Sequence, residues 1–334
     1  MTTVLAPAGE APGTARTRRP ARGGRRRSPS GARWWVVLAL LSPFVVGFAV
    51  FVLYPVAATL YYSLTDFQAG SYRPVQFVGL RNYRALFTQS DTFWVAVRNT
   101  LWMVVVMVPL RTGWAMLTAW VIIRVKRGRA VYRTLFFLPS MVPVVAAALS
   151  FIVLLNPVGP LNRLLGWVGV DGPGWFSDPA WSKPSLVLMA LWASGNVMVI
   201  FSAAMLDVPR ELYEAAELDG AGALQKFRSV TLPAISPVVF FALLTGMIYT
   251  FQYFTEAFVA SSSANATSSS NDLIGYPAGS LLFYSTELYR QGFGYFKTGY
   301  ASAMAWLLFL VIFAATVVFI RVSRRFVHHA GGGR

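Results

Sequence analysis

The sequence predicts an all-α integral membrane protein with six transmembrane helices and both termini in the cytoplasm. Three observations carry this. Of 334 residues, 56% are hydrophobic and 13% charged, about half the charged share of a soluble domain, which is roughly 25%. Six stretches stay apolar over the ~20 residues a helix needs to cross a hydrocarbon layer ~30 Å thick. Lys and Arg are divided unevenly between the connecting loops, and that imbalance orients the chain.

Composition excludes most other classes. Aromatic residues reach 15%, with 11 Trp and 25 Phe, and mean hydropathy is +0.54. Soluble cores stop growing at about 250–300 residues, so a single core cannot hide this much apolar surface. Disorder, a secreted disulfide scaffold and a soluble enzyme are excluded. The absence of Cys removes thiolate catalysis, disulfides and Cys-ligated zinc. The two His, His328 and His329, are adjacent in a polar tail, which excludes a buried His metal site. A net charge of +16 raises the question of nucleic acid. The basic residues cluster beside apolar runs, so they report topology and no nucleic-acid partner is expected.

The expected spans, in order, are 34–55, 100–123, 135–155, 185–206, 235–256 and 300–320. The first follows a tail, 1–33, rich in Arg, Gly, Pro and Ala and expected to be disordered and cytoplasmic. Its apolar run is too long for a signal peptide, and no small-residue cleavage site follows. The second holds one charge, Arg111. Pro43, Pro55, Pro109, Pro139 and Pro143 lie in or beside the spans, where membrane helices tolerate them as kinks. Eight Lys and Arg precede the first span, five separate the second from the third, three the fourth from the fifth, and four follow the last. Those twenty face eight on the other side, which makes the twenty cytoplasmic. The permease domain is thus 34–322, with a cytoplasmic tail at 323–334.

The loop 207–233 carries the most information. Pro209 suits a helix start, and Glu211, Glu214 and Glu217 recur along one side of a short helix. Leu212, Ala215, Ala216 and Leu218 supply small and apolar surface, and Gly220 and Gly222 are expected to end the helix in a positive-φ turn. Leu224, Phe227 and Val230 then form an apolar stripe before Leu232-Pro233. One reading is an amphipathic turn on the headgroups. Acidic residues are unfavourable against an anionic leaflet, so the other reading is a helix presented to a protein.

Glu214-Ala215-Ala216-x-x-Asp219-Gly220-Ala221, followed by Phe227 and Leu232-Pro233, resembles the EAA loop of ABC importer permeases. Ser42-Pro43, Tyr54-Pro55 and Tyr62-Ser63-Leu64-Thr65 resemble the first span of carbohydrate-type permeases, and Phe77 to Tyr83 with Asn99-Thr100 the approach to the second. Arg133 to Pro139, Asn156-Pro157 and Gly299-Tyr300-Ala301 also fit the maltose and multiple-sugar permease family, and the match looks like the first permease of the pair.

The resemblance implies a coupling helix that docks on a cytoplasmic ATPase, with Glu214, Ala215, Ala216, Asp219 and Gly220 as coupling residues. It also implies a bacterial plasma-membrane location and four partners: a second permease subunit, two ATPase copies and an extracytoplasmic solute-binding protein. The chain lacks a Gly-x-x-x-x-Gly-Lys-Ser/Thr phosphate loop, so it is expected to hold no cofactor and catalyse nothing, with ATP and Mg bound by the partner ATPase.

Six further residues are candidates for the substrate pathway: Arg111, Gly195, Asn196, Thr250, Gln252 and Tyr253. A charge at the centre of a span costs about 2.5–3.5 kcal/mol, so Arg111 faces a cavity, pairs with an acid or snorkels. Glu256 either partners Arg111 or marks the outer interface. Polar groups at membrane depth bind sugar hydroxyls or join helices by hydrogen bonds worth about 0.6 kcal/mol each; the resemblance places spans four and five at the substrate cavity. Trp167, Trp175 and Trp181 read as interface anchors. The outer loop 256–297 carries a Ser-rich stretch, 261–271, that departs from the family's short turn. The resulting expectation is an importer permease for a sugar or related small polar solute. The rivals are a non-sugar ABC permease, a secondary transporter, and a membrane enzyme, which lacks the paired carboxylates it needs.

Overall fold

The computed structural model describes residues 34–263 and 274–323. The tail 1–33, all but one residue of the tail 323–334, and most of the stretch 261–271 lie outside the described residues. Among the described residues all regular structure is helical, apart from one antiparallel bridge between Thr65 and Phe77.

The chain divides into two units, with the boundary after Tyr54. In the first, α1 (Trp34–Phe48) takes Pro43 inside it and runs into a π-helical turn, Ala49–Leu53. The wider turn falls just before Pro55, which has no N–H to give the ladder. Then come α2 (Tyr54–Ser63), α3 (Arg81–Thr88) and α4 (Asp91–Arg124). Ser90 caps α4 by accepting the Phe93 N–H at 3.2 Å. Asp91 lies in its first turn and Arg124 in its last, both favourable to the helix dipole. Its 34 residues reach about 51 Å at 1.5 Å each.

Next are α5 (Arg129–Phe137) with a 3-10 turn (Leu138–Met141), α6 (Val144–Leu154), α7 (Pro160–Trp167), α8 (Pro179–Trp192) and α9 (Gly195–Leu206). The loop contributes α10 (Arg210–Leu218), α11 (Ala223–Lys226), a π turn (Phe227–Thr231) and α12 (Leu232–Ala234). The chain ends with α13 (Ser236–Phe251), α14 (Thr255–Ser263), α15 (Tyr284–Tyr289) and α16 (Thr298–Ser323).

Three helices are by themselves long and apolar enough to cross a membrane: Trp34–Ser63, Asp91–Arg124 and Thr298–Ser323. The third, fourth and fifth expected spans are instead bent pairs that qualify only when joined. The bends are 97° before α6, 48° between α8 and α9, and 71° before α13. At the sharpest, Val142 precedes Pro143 and is held extended, at φ −70° and ψ 130°, because a residue before proline is pushed out of the helical region.

The fifth span is corrected further. It was expected to run to 256, but α13 stops at Phe251. The Gln252 and Tyr253 N–H groups bond only three residues back, to Tyr249 and Thr250, and Glu256 lies in the first turn of α14.

α4 is the central packing element of the second unit, lying against α9 and α13. Its buried stripe includes Ala96, Thr100, Ala115 and Ala119, small residues of the kind that let membrane helices approach closely. At Gly246 of α13 an added Cβ would lie 3.3 Å from Val108. One buried cluster gathers Met103, Met107, Phe151, Leu186, Tyr253 and Phe283. A second, nearer the loop, gathers Ala115, Ile122, Met198, Phe201 and Ile235.

The remaining motif residues fasten loops. Asn82 donates to the carbonyls of Ser63 and Thr65 at 2.9 and 2.8 Å. Asn99 donates to Gly279 and Leu282 at 2.8 and 2.9 Å, and Thr100 accepts the Tyr284 N–H at 2.9 Å. Gly299 cannot carry a side chain, since its Cβ would lie 2.4 Å from the Thr65 carbonyl oxygen.

Candidate functional site

The loop between α9 and α13 is built as a capped hairpin of short helices. Glu211 sits in the first turn of α10. At the other end Gly220 has φ +75°, its N–H bonds to Glu217, and the Ala221 N–H reaches back to Ala216 at 2.9 Å. These two bonds make a Schellman cap, which needs a left-handed residue at Gly220. Gly222, expected to share that conformation, has an ordinary φ of −70° and caps α11. Pro209 stands one residue before the helix rather than in it.

The faces of the loop differ sharply. Glu211, Glu214, Ala215, Leu218, Asp219 and Gly220 are exposed, and Leu218 is 91% exposed. On the opposite side the Tyr213 hydroxyl bonds the Thr231 hydroxyl at 2.9 Å, and the Trp120 and Phe227 rings meet edge to face at 5.2 Å. Glu217 pairs with Lys226 at 2.6 Å, and that hydrogen bond holds its carboxyl below the usual range. The expected stripe is broken: Phe227 and Val230 pack inward, while Leu224 is exposed. A π turn at Phe227–Thr231 holds the two inward residues, a departure that residue spacing does not announce.

Within the helices two cavities adjoin. One, of about 170 Å³, is lined by Arg111, Ser140, Asn196, Tyr249, Tyr253 and Glu256 among others. The second, of about 380 Å³, is lined by Arg111, Thr112, Asn196, Thr245, Tyr249 and Thr250 among others. Arg111, Asn196, Thr250 and Tyr253 therefore meet around this space. Gln252 is exposed and lines neither. Gly195 is a packing position: a Cβ there would lie 2.3 Å from the Phe136 carbonyl oxygen.

Arg111 Nε and the Tyr253 hydroxyl are buried without a hydrogen-bond partner. Glu256 is buried, at 7% exposure, and makes no ion pair with Arg111. Tyr249 stands between them, its ring centroid 5.9 Å from the guanidinium carbon and its hydroxyl donating to Glu256 at 2.9 Å. Sequence reading missed Tyr249. No residue spacing could have signalled it, since the helix stops at Phe251 between Tyr249 and Glu256.

Of the three tryptophans, Trp167 is exposed. Trp175 instead donates to Asn162 Oδ1 at 2.7 Å and stacks edge-on to Trp181 at 5.4 Å.

Polar cavities among membrane-length helices are what solute passage requires, and the class this fold defines is a multi-pass permease. Residues 111–328 match the family described as binding-protein-dependent transport system inner membrane component, and the chain belongs to that family. It is 34% identical to the probable ABC transporter permease protein YesP of Bacillus subtilis (strain 168), over 87% of this chain and 91% of that one. It is 33% identical to the diacetylchitobiose uptake system permease protein NgcF of Streptomyces coelicolor, over 95% and 90%. The fold matches a chain of a bacterial alginate ABC transporter, solved in complex with an alginate pentasaccharide-bound periplasmic protein. The TM-score is 0.73 at 24% identity, over 88% of this chain and 96% of that one. The protein is an ABC-transporter permease subunit of the inner membrane.

Proposed function

We propose that this permease carries a sugar or related small polar solute into the cytoplasm. It works with a second permease, two copies of an ATPase and an extracytoplasmic solute-binding protein. The chain crosses the membrane six times, three of the spans being broken, with both termini and the loop 207–233 in the cytoplasm; the excess of Lys and Arg on that side supports this orientation. Glu214, Ala215, Ala216, Asp219 and Gly220 dock on the ATPase, which alone binds ATP and Mg. Arg111, Asn196, Thr250 and Tyr253 contribute to the solute pathway.

The observation that carries this reading is the exposed acidic face of α10, ended by the Gly220 cap and joined through α12 to the helix that lines both cavities. The names of the relatives support a saccharide cargo, and the periplasmic protein bound to the alginate transporter supports a binding-protein partner. A second reading, an ion-driven transporter, draws on the buried carboxylate of Glu256. Uptake of labelled oligosaccharides into vesicles bearing the whole complex separates the two. ATP-dependent uptake that survives collapse of ion gradients is expected, and uptake abolished by ionophores without any need for ATP overturns it.

A further inference from the structure

The two cavities share one layer of side chains: Met107, Arg111, Asn196 and Tyr249 line both. The layer has a direction. Numbers rise toward the loop along α4 and α9 and fall toward it along α13. The larger cavity takes Thr112, Ile200 and Ala242, so it lies on the loop side. The smaller takes Tyr253 and Glu256 and lies on the far side.

Tyr249 stands in this layer with 48% of its surface exposed. It is held on three sides: by Arg111 over its ring, by the Tyr253 ring in an edge-to-face arrangement with centroids 6.3 Å apart, and by Glu256 at its hydroxyl. The last of these crosses the interruption between two helices. Tyr249 belongs to α13, which packs on α4, whereas Glu256 belongs to α14, which packs on α6. Residues between Phe251 and Thr255 are non-helical, so the helical ladder does not run from one helix into the other. α13 is joined to α12 of the loop through the 71° bend at Ile235, so Tyr249, and not Glu256, is on the helix next to the loop.

We propose that Tyr249 divides the solute passage into two compartments and that Glu256 is its positioning residue, holding the phenol across the passage until α13 moves relative to α14. This rests on the permease reading above. A solute on the far side meets the guanidinium, the two phenols and the carboxylate first. It enters the loop-side compartment when the Tyr249–Glu256 hydrogen bond opens.

The chain contains no Cys, so one thiol in each compartment reports the divide without background. Thr245→Cys marks the loop side and Ser140→Cys the far side. In the assembled complex, an impermeant thiol reagent applied from the binding-protein side is expected to label Ser140→Cys readily and Thr245→Cys slowly. Tyr249→Phe and Glu256→Ala each remove one hydrogen bond, so each is expected to raise labelling of Thr245→Cys roughly fivefold. The double variant should rise no further than either single one. Glu256→Gln keeps an acceptor oxygen and should stay near the original rate. Unchanged labelling in Tyr249→Phe overturns the proposal, as does multiplication of the two single effects. Should Glu256→Ala fail to assemble, Tyr249→Phe decides alone. Uptake is scored separately: failure of ATP-driven uptake strikes the permease reading and leaves the labelling result standing.

Discussion

Arg124, the last residue of α4, donates from its guanidinium to the carbonyl of Ala223, the first residue of α11, at 3.2 Å. Its guanidinium carbon also lies 3.7 Å from the centroid of the Trp120 ring. Together with the Trp120–Phe227 contact, this fixes the loop to the helix that carries Arg111.

Arg124→Ala is expected to loosen that attachment. An exposed cation–π contact contributes about 0.5–1 kcal/mol, enough to shift the orientation of the loop severalfold without unfolding the chain. The ratio of solute moved to ATP hydrolysed should fall, and Arg124→Lys should restore it only in part, since an ammonium has no planar face to lay on indole. An unchanged ratio in Arg124→Ala would remove Arg124 from the coupling route.

Glu214 and Gly220 should fail in different ways. Glu214 is exposed, so Glu214→Lys is expected to leave complex yield intact while abolishing solute-stimulated ATP hydrolysis. Gly220 has φ +75°, a region that costs a β-branched residue about 1–3 kcal/mol. Gly220→Val should therefore lower transport and also raise the proteolytic sensitivity of the loop. Normal stimulated hydrolysis with Glu214→Lys would refute docking through this face.

The Glu217–Lys226 pair sets a pH window. Its hydrogen bond lowers the Glu217 pKa, so the tie is present above the unfolded carboxylate value and is lost as pH falls through the lowered, folded value. Proteolysis of the loop should stay flat above the ordinary carboxylate range and accelerate as pH falls through that range toward the lowered value. In Lys226→Met the tie is absent at every pH, so proteolysis should already be faster at neutral pH and lack this step, and coincident profiles would contradict the assignment.

Topology is testable with single thiols. Ala223→Cys and Arg127→Cys should react from the cytoplasm alone, and Ser71→Cys and Ser177→Cys from outside alone. Labelling of Ala223→Cys by an impermeant reagent in intact cells would break the six-span arrangement.

Arg111 makes no ion pair among the described residues, so its removal leaves no buried acid stranded by loss of a direct partner. Arg111→Gln and Arg111→Ala are expected to assemble at normal yield and to reduce uptake or shift solute preference, by about tenfold if one charge-assisted hydrogen bond of roughly 1.5 kcal/mol is lost. Loss of yield, rescued by Glu256→Gln, would instead mark a structural pair through Tyr249.

Membrane residence, the apolar runs and the signature of the loop were legible because each depends on residues near one another in the chain. A run such as Thr298 to Ile320 partitions into hydrocarbon on its own composition, and the helix from Glu211 needs a left-handed terminator that Gly220 supplies locally. The bends, the end of α13 at Phe251 and the π turn before Leu232 were not legible, since proline and aromatic residues permit such breaks without dictating where they fall. The cavity was decided by tertiary structure alone. Arg111, Asn196, Tyr249 and Glu256 come from four helices, and only the packing of α9 and α13 on α4, and of α14 on α6, brings them together. In lipid, where apolar contact between helices gains little over contact with lipid tails, that packing is settled by small residues, close backbone approach and polar bonds between distant segments. Arg111 drew attention from sequence because a charge is conspicuous in an apolar run. Tyr249 did not, because an aromatic residue is ordinary there until its hydroxyl meets the carboxylate of the next helix.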